Sequence, residues 1–340
     1  MTGHEASQSA PLISAIVRAS GCVEAVRPSL ESLRAQSLDA DRFEVLVVDD
    51  GCSDRAWAGI EATSAVLHFG CVRRKTDERP GWRNRGLSLA RSPIVLFIAD
   101  DEVLDPACLE EHHLAHAEHP QPQAAVLGYT GLSDEAERSP LMRYLAEADR
   151  RHLCCDEALE SYAIGWPGFC LRLPSFKRLY LRDHEGLKPD FPLGTEPREL
   201  VDRLSRAGLH IVRRTGAKSV VIRSRGLDEV CADCYSLGEV DRLLARHYPP
   251  EPGTPGCFDL DEVVAEWMAI EPIFPKVVKS ARELDRFARE RCRAELLVDD
   301  LAMRLLHRAY AAALRANRIR GLLDAMSEPE LGLIPAISPS

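Results

Sequence analysis

From residue 12 to about 130, short apolar runs alternate with stretches whose apolar positions recur every three or four residues. The runs are LISAIV (12–17), FEVLVVDD (43–50), a shorter one near HFGCVRR (68–74), IVLFIA (94–99) and AAVLGYT (124–130). Between them lie VEAVRPSLESLRAQ, RAWAGIEATSAV, GWRNRGLSLAR and PACLEEHHLAHAEH, each with a helical period. Nearly continuous apolar runs are expected of strands covered on both faces. Alternation at this spacing predicts right-handed βαβ units and an α/β fold with a Rossmann-like, mostly parallel, doubly wound sheet. Such sheets take ligands at the carboxyl ends of their strands.

Beyond residue 135 the rhythm loosens. EAERSPLMRYLAEADRRH reads as a helix, YAIGWPGFCLRL and GLHIVRR as strands, and PRELVDRLSRAG as a helix stopped at Gly208. From about 235 to 325 the pattern is almost wholly helical, with the Pro-rich YPPEPGTPG (248–256) as a linker. The expected organisation is a flexible start (1–11), a ligand-binding half (12–135), a second half (136–247), the linker (248–256), a helical C-terminal extension (257–326) and a frayed tail (327–340). The apolar stripes of the extension call for a partner surface, either within the chain, on a second copy or on another protein.

Composition narrows the class. The 340 residues are 45% apolar and 28% charged, ordinary for a globular protein, and the formal charge of −10 argues against nucleic acid as a partner. No apolar run reaches the ~18–20 residues of a membrane span, and residues 1–11 have no apolar leader core, so a cytoplasmic location is expected. The eleven cysteines are scattered, which suits unpaired thiols in a reducing compartment. Cys231 and Cys234 form a lone CxxC, a weak zinc signal without a second pair.

The chemistry sits where strands end. VLVV runs into Asp49–Asp50, and VLFIA runs into Asp100–Asp101–Glu102. Carboxylates gathered at neighbouring strand ends repel one another unless a cation joins them. A hard divalent ion, Mn²⁺ or Mg²⁺, is the usual occupant and commonly keeps substrate phosphates in its shell. The plainer alternative makes Asp50 and Asp101 caps of the helices that follow. No glycine-rich phosphate loop occurs, which disfavours dinucleotide-binding and P-loop enzymes and leaves phosphate contact to a metal and to Arg79, Arg83 and Arg85.

PLISAIV, FEVLVVDDGCSD, GWRNRGLSLARSPIVLFIADDEVLDPACLEEH and GTEPRELVDRLSRAGLHIV, in this order, resemble the family 2 glycosyltransferases of the GT-A fold, from about residue 11 to 240. The resemblance implies an inverting transferase using a nucleotide-diphosphate sugar, commonly a UDP-sugar, with a metal ion. It assigns Asp50 and Arg79 to the nucleotide, Asp100 to the ribose, and Asp101 to the metal. Arg18 and Ser20 stand where the first-strand loop of that family touches the base. That loop usually reads Pro-Thr-Tyr-Asn and here reads RASG, without the aromatic residue.

Two further positions depart from the family. Its Glu-Asp pair, which supplies the general base, is here Glu196–Pro197; Pro suits the first turn of a helix, and Glu196 or Asp190 is left as the base. A metal-binding His common after the next strand is replaced by Ile222 and Arg223, so that Arg223 or Arg225 becomes a candidate clamp on diphosphate. His112, His116 and His119 share one helical face, which the resemblance places on the polar side of the helix; the spacing would also suit a transition metal. Trp166 and Phe169 are core residues or acceptor-stacking ones. The leading expectation is a glycosyltransferase. Its rivals are a GT-A-fold protein that has lost turnover and serves as a binding or assembly partner, and, less favoured, a nucleotidyltransferase.

Overall fold

The computed structural model describes residues 10–73, 81–153, 173–188, 196–247, 260–293 and 300–327. The chain divides into two compact units, 1–225 and 226–340.

The first unit is built on an eight-stranded sheet. Its strands are β1 (Ile13–Ala19), β2 (Phe43–Asp49), β3 (Gly70–Val72), β4 (Ile94–Ile98), β5 (Glu102–Leu104), β6 (Ala124–Leu132), β7 (Pro174–Lys177) and β8 (His210–Val221). They lie in the order β3-β2-β1-β4-β7-β6-β8-β5. The first four are parallel, with Ala19 opposite Asp49 and Val17 opposite Ile98, as the βαβ rhythm predicts. The other half is mixed: β7 runs antiparallel to both β4 and β6, β6 and β8 are parallel, and β5 returns antiparallel on β8.

Helices cover both faces, and alternate residues of one strand show it. Ile13, Ala15, Val17 and Ala19 pack with Val26, Leu30 and Leu33 of α1 (Val23–Arg34), Trp57 and Ile60 of α2 (Asp54–Val66), and Cys108 and Leu109 of α4 (Cys108–Glu118). Ile16 faces the other way, joining Val48, Val95 and Phe97. There it meets Trp82 and Leu87 of α3 (Trp82–Leu89), Tyr180 and Leu181 of α7 (Arg178–Asp183), and Leu200 and Leu204 of α8 (Glu196–Arg206). Burying each such aliphatic chain stabilises the fold by roughly 1.5–3 kcal/mol. Gly86 lets α3 lie on the sheet, since a Cβ there would stand 2.2 Å from Ile16 Cγ2. The helix predicted from residue 135 is two, α5 (Asp134–Glu137) and α6 (Pro140–Leu153), divided ahead of Pro140.

The second unit is helical: α9 (Leu227–His247), α10 (Leu260–Ile270), a short 3₁₀ turn (Glu271–Ile273), α11 (Phe274–Arg293) and α12 (Asp300–Ser327). The sequence reading ended the second half at 247, whereas α9 falls on the C-terminal side of the division at 225/226. The proposed linker 248–256 lies outside the described residues. Helices α9 and α12 touch backbone to backbone: a Cβ at Gly238 would meet Arg318 O at 2.0 Å, and one at Gly321 would meet Tyr235 O at 2.0 Å. Cys231 and Cys234 both lie buried in α9, and burial pushes the Cys231 thiol up to about 11, so it stays protonated and packs as a small apolar group. Among the described residues no helix is long and apolar enough to cross a membrane.

Candidate functional site

Three adjacent parallel strands, β2, β1 and β4, end on the same edge of the sheet. Chain order reverses beside β1, because β2 precedes β4 in sequence yet lies on the opposite side of it. A crevice is expected at such a point. Into it the strand ends deliver Arg18 and Ser20, Asp49 and Asp50, and Asp100 and Asp101.

Their contacts tie the three ends together. Arg18 Nε donates to Asp50 Oδ2 at 2.7 Å. The backbone N–H of Ser20 and its hydroxyl both donate to Asp100 Oδ2, at 3.1 and 2.5 Å. The Asp50 N–H donates to Ala19 O at 2.7 Å. Asp49 turns inward instead, accepting from the N–H groups of Gly51 and Cys52 at 3.1 and 2.8 Å and pairing with Arg73 Nε at 3.1 Å. Gly51, at φ +97°, gives the loop a turn that other residues adopt only with strain. Neither Asp50 nor Asp101 caps a helix: α2 is capped by the Ser53 hydroxyl, and Ala107 stands at the cap of α4.

The electrostatics record the convergence. Burial alone would lower the pKa of the Arg18 guanidinium, but the charges of Asp50, Asp100 and Asp101 outweigh it and raise it. Acids 50 residues apart in sequence thus act on one cation. Cys52, against the same loop, is pushed up to about 12 by burial and by Asp49 and Asp100. It is a neutral thiol donating to Ala19 O at 3.1 Å and Gly21 O at 3.4 Å.

Asp101 is nearly buried and closes the β4 end, where its carbonyl accepts from Ile222 N–H at 3.0 Å. Arg223 Nε lies 3.8 Å from Asp101 Oδ2. Arg225 is buried, and its backbone N–H donates to Met142 Sδ. The third acid of the cluster has a different place. Glu102 belongs to β5, is fully buried, and accepts from Ser219 Oγ at 2.6 Å and Thr130 Oγ1 at 3.0 Å. It clamps β5, β6 and β8 together and is no ligand-facing carboxylate.

The RNRG motif also serves the scaffold. Asn84 accepts from the Leu187 N–H at 2.9 Å and donates to Leu187 O at 2.5 Å. Arg203 of α8 binds Glu199 at 2.6 Å and the carbonyls of His184 and Gly186. Together they seat α8, whose first residues are Glu196 and Pro197. Arg83 lies over the Trp82 ring at 4.4 Å, and Arg85 is exposed. Arg79, Asp190, Trp166 and Phe169 lie outside the described residues.

The histidines correct the sequence reading. His112 and His116 are buried, not on a polar outer face, and both bond the hydroxyl of Ser175 in β7, at 2.8 and 2.9 Å. Burial holds each imidazole down to about 3, so both are neutral. Among the described residues no group of three or more His, Cys, Asp or Glu could hold a metal.

Two partners were not foreseen. Arg73, at the end of the weakest strand signal, neutralises Asp49 and also binds Asp54 at 2.6 Å. The Ser20–Asp100 pair joins residues 80 apart, and no local spacing signals it.

Residues 14–171 match the family model described as Glycosyl transferase family 2. Over that stretch the chain is similar to the family 2 glycosyltransferases. It is 28% identical over 102 residues to EpsH of Bacillus subtilis (strain 168), which is named as a glycosyltransferase; the match covers 30% of this chain and 29% of that protein. The mannosyltransferase PcManGT from Pyrobaculum calidifontis, solved in complex with GDP-Man and Mn²⁺, superposes with a TM-score of 0.55 at 17% identity. The superposition covers 95% of this chain and 89% of that one. TarS 1–349 of S. aureus, in complex with UDP-GlcNAc, gives 0.47 at 16% identity over 93% and 91% of the two chains. The superposition on PcManGT shows the GT-A fold expected from the sequence, and a helical C-terminal region follows the first unit.

Proposed function

We propose that this protein transfers a sugar from a nucleotide-diphosphate donor to an acceptor hydroxyl, with inversion at the anomeric carbon and the assistance of a divalent metal. One observation carries the reading: Arg18, Asp50, Asp100 and Asp101, from three strand ends, share one electrostatic environment at the sheet's crevice. In this reading Arg18, Ser20, Asp50 and Arg79 hold the nucleotide, Asp100 the ribose, and Asp101 the metal.

The residues present fit a hard divalent ion. Asp101 offers a carboxylate, and Mn²⁺ and Mg²⁺ bind through one or two carboxylates with phosphate and water filling the shell. Bound there, the ion would neutralise charge growing on the departing diphosphate. Asp49, turned inward to Arg73, and Glu102, turned inward to Ser219, are not expected in that shell. The PcManGT complex with GDP-Man and Mn²⁺ supports a metal and a nucleotide sugar as the class of ligand.

The acceptor oxygen would attack the anomeric carbon as the bond to the diphosphate oxygen breaks, and the acceptor proton would pass to a carboxylate. Glu196, at the head of α8, is the candidate base, with Asp190 as the second. The alternative, a GT-A-fold partner protein without turnover, draws on Pro197 at the position of the family's base.

Calorimetry with GDP and UDP, each with and without Mn²⁺, tests the first step. Failure of both to bind would end the reading. Glu196→Gln is expected to abolish transfer while changing nucleotide affinity less than about threefold; retained turnover removes Glu196 from the base role. Nucleotide binding without donor hydrolysis or transfer across a broad acceptor panel favours the partner-protein reading.

A further inference from the structure

The carboxylates of the crevice already have partners of their own. Asp49 is held by Arg73, Asp50 by Arg18, and Asp100 by the N–H and hydroxyl of Ser20. Asp101 has the guanidinium of Arg223 at 3.8 Å. Arg73 is shared between Asp49 and Asp54, whereas Arg18 and Arg223 face the acids assigned above to nucleotide and metal. The side chains of Arg18 and Arg223 are 40% and 55% exposed, while the acids they face are 12% and 8% exposed. The acids are fixed in the sheet edge, and the guanidinium groups lie on the solvent side of them.

We infer that Arg18 and Arg223 are resident counter-cations that offset most of the negative charge of the acid cluster until a nucleotide diphosphate enters, so that metal and nucleotide bind as a pair. The inference rests on the nucleotide-sugar reading above. A bare divalent cation approaching Asp101 must compete with Arg223 for its carboxylate and meets the charge of Arg18, which is bonded to the neighbouring Asp50. A diphosphate changes that balance, because a guanidinium released from a carboxylate gains a bidentate phosphate partner. Each ligand then favours the other by the same factor, as linkage requires. The sequence departures become one device: an arginine near the end of β1 and an arginine after β8 supply charge that this crevice needs when empty and hands to the ligand when full.

The test is calorimetric titration of MnCl₂, alone and with saturating GDP or UDP, into the full chain. Arg18→Gln and Arg223→Gln are compared with wild type and with Arg206→Gln, whose partner Asp202 lies on α8. Each crevice variant is expected to bind Mn²⁺ alone about tenfold more tightly and the Mn²⁺–nucleotide pair about tenfold more weakly. Arg206→Gln should match wild type. Arg18→Lys, which keeps the charge, should stay within about twofold of wild type for Mn²⁺ alone. Melting temperatures within a few degrees of wild type establish that the variants are folded. Unchanged affinity for Mn²⁺ alone in both Gln variants, with the nucleotide pair still bound by wild type, overturns the inference and leaves the functional reading intact. A wild type that takes up neither nucleotide with Mn²⁺ overturns both.

Discussion

The two halves of one sheet treat ionisable residues in opposite ways. In the parallel half, β3-β2-β1-β4, Asp50, Asp100 and Asp101 stand at strand ends, and exposed arginines face Asp50 and Asp101. In the mixed half, Glu102, His112 and His116 are taken inside and closed off by the hydroxyls of Ser219, Thr130 and Ser175. Asp101 and Glu102 are chain neighbours, yet one faces the crevice and the other the interior. Asp101 lies in the turn between β4 and β5, whereas Glu102 opens β5 and points to the hydroxyls of Ser219 and Thr130. A hydroxyl-capped acid is a structural part, whereas an acid balanced by an exposed guanidinium can exchange its partner.

The largest effect is expected from the crevice. Asp101→Asn should lower sugar transfer about a thousandfold, the scale of a lost metal contact, with a melting temperature close to wild type. Full activity in that variant would erase the functional difference between the two acids. The next test concerns the histidines. Their pKa values in the folded chain lie far below the ordinary 6.5, so the native state binds fewer protons than the unfolded chain. Their contribution is complete above about pH 6.5 and is lost as pH falls from there toward about 3. Urea unfolding at pH 7.5 and 5.0 should differ by about 2 kcal/mol for each imidazole, and His116→Gln should shrink the difference. A flat profile would show that these imidazoles are not sealed. The smallest effect is expected of Glu102→Gln. An amide can still accept from Ser219 and Thr130, so a loss of about 1 kcal/mol in urea unfolding should accompany unchanged Mn²⁺ affinity. Weakened metal binding would instead move Glu102 into the crevice.

Much of the parallel half was legible beforehand. Its strands are apolar runs of five to seven residues, and each helix between them carries its own period, so neighbouring strand ends could be placed together from pattern alone. Strand β5 was not legible, because three residues carry no periodicity and Glu102 pairs with Val221 across 119 positions. The histidines misled for a related reason. Their spacing defines a helical face but not what covers it, and the cover is Ser175, 63 residues from His112.

Local sequence thus determined the strands β1, β2 and β4, the helices between them, and the acids at their ends, because those features follow from nearest neighbours and a short hydrophobic period. Only tertiary structure decided which of those acids were spent inside the fold and which stayed available. That choice depends on partners tens of residues away, such as Arg73, Ser20, Ser219 and Arg223, brought within hydrogen-bonding or ion-pairing reach by the sheet order.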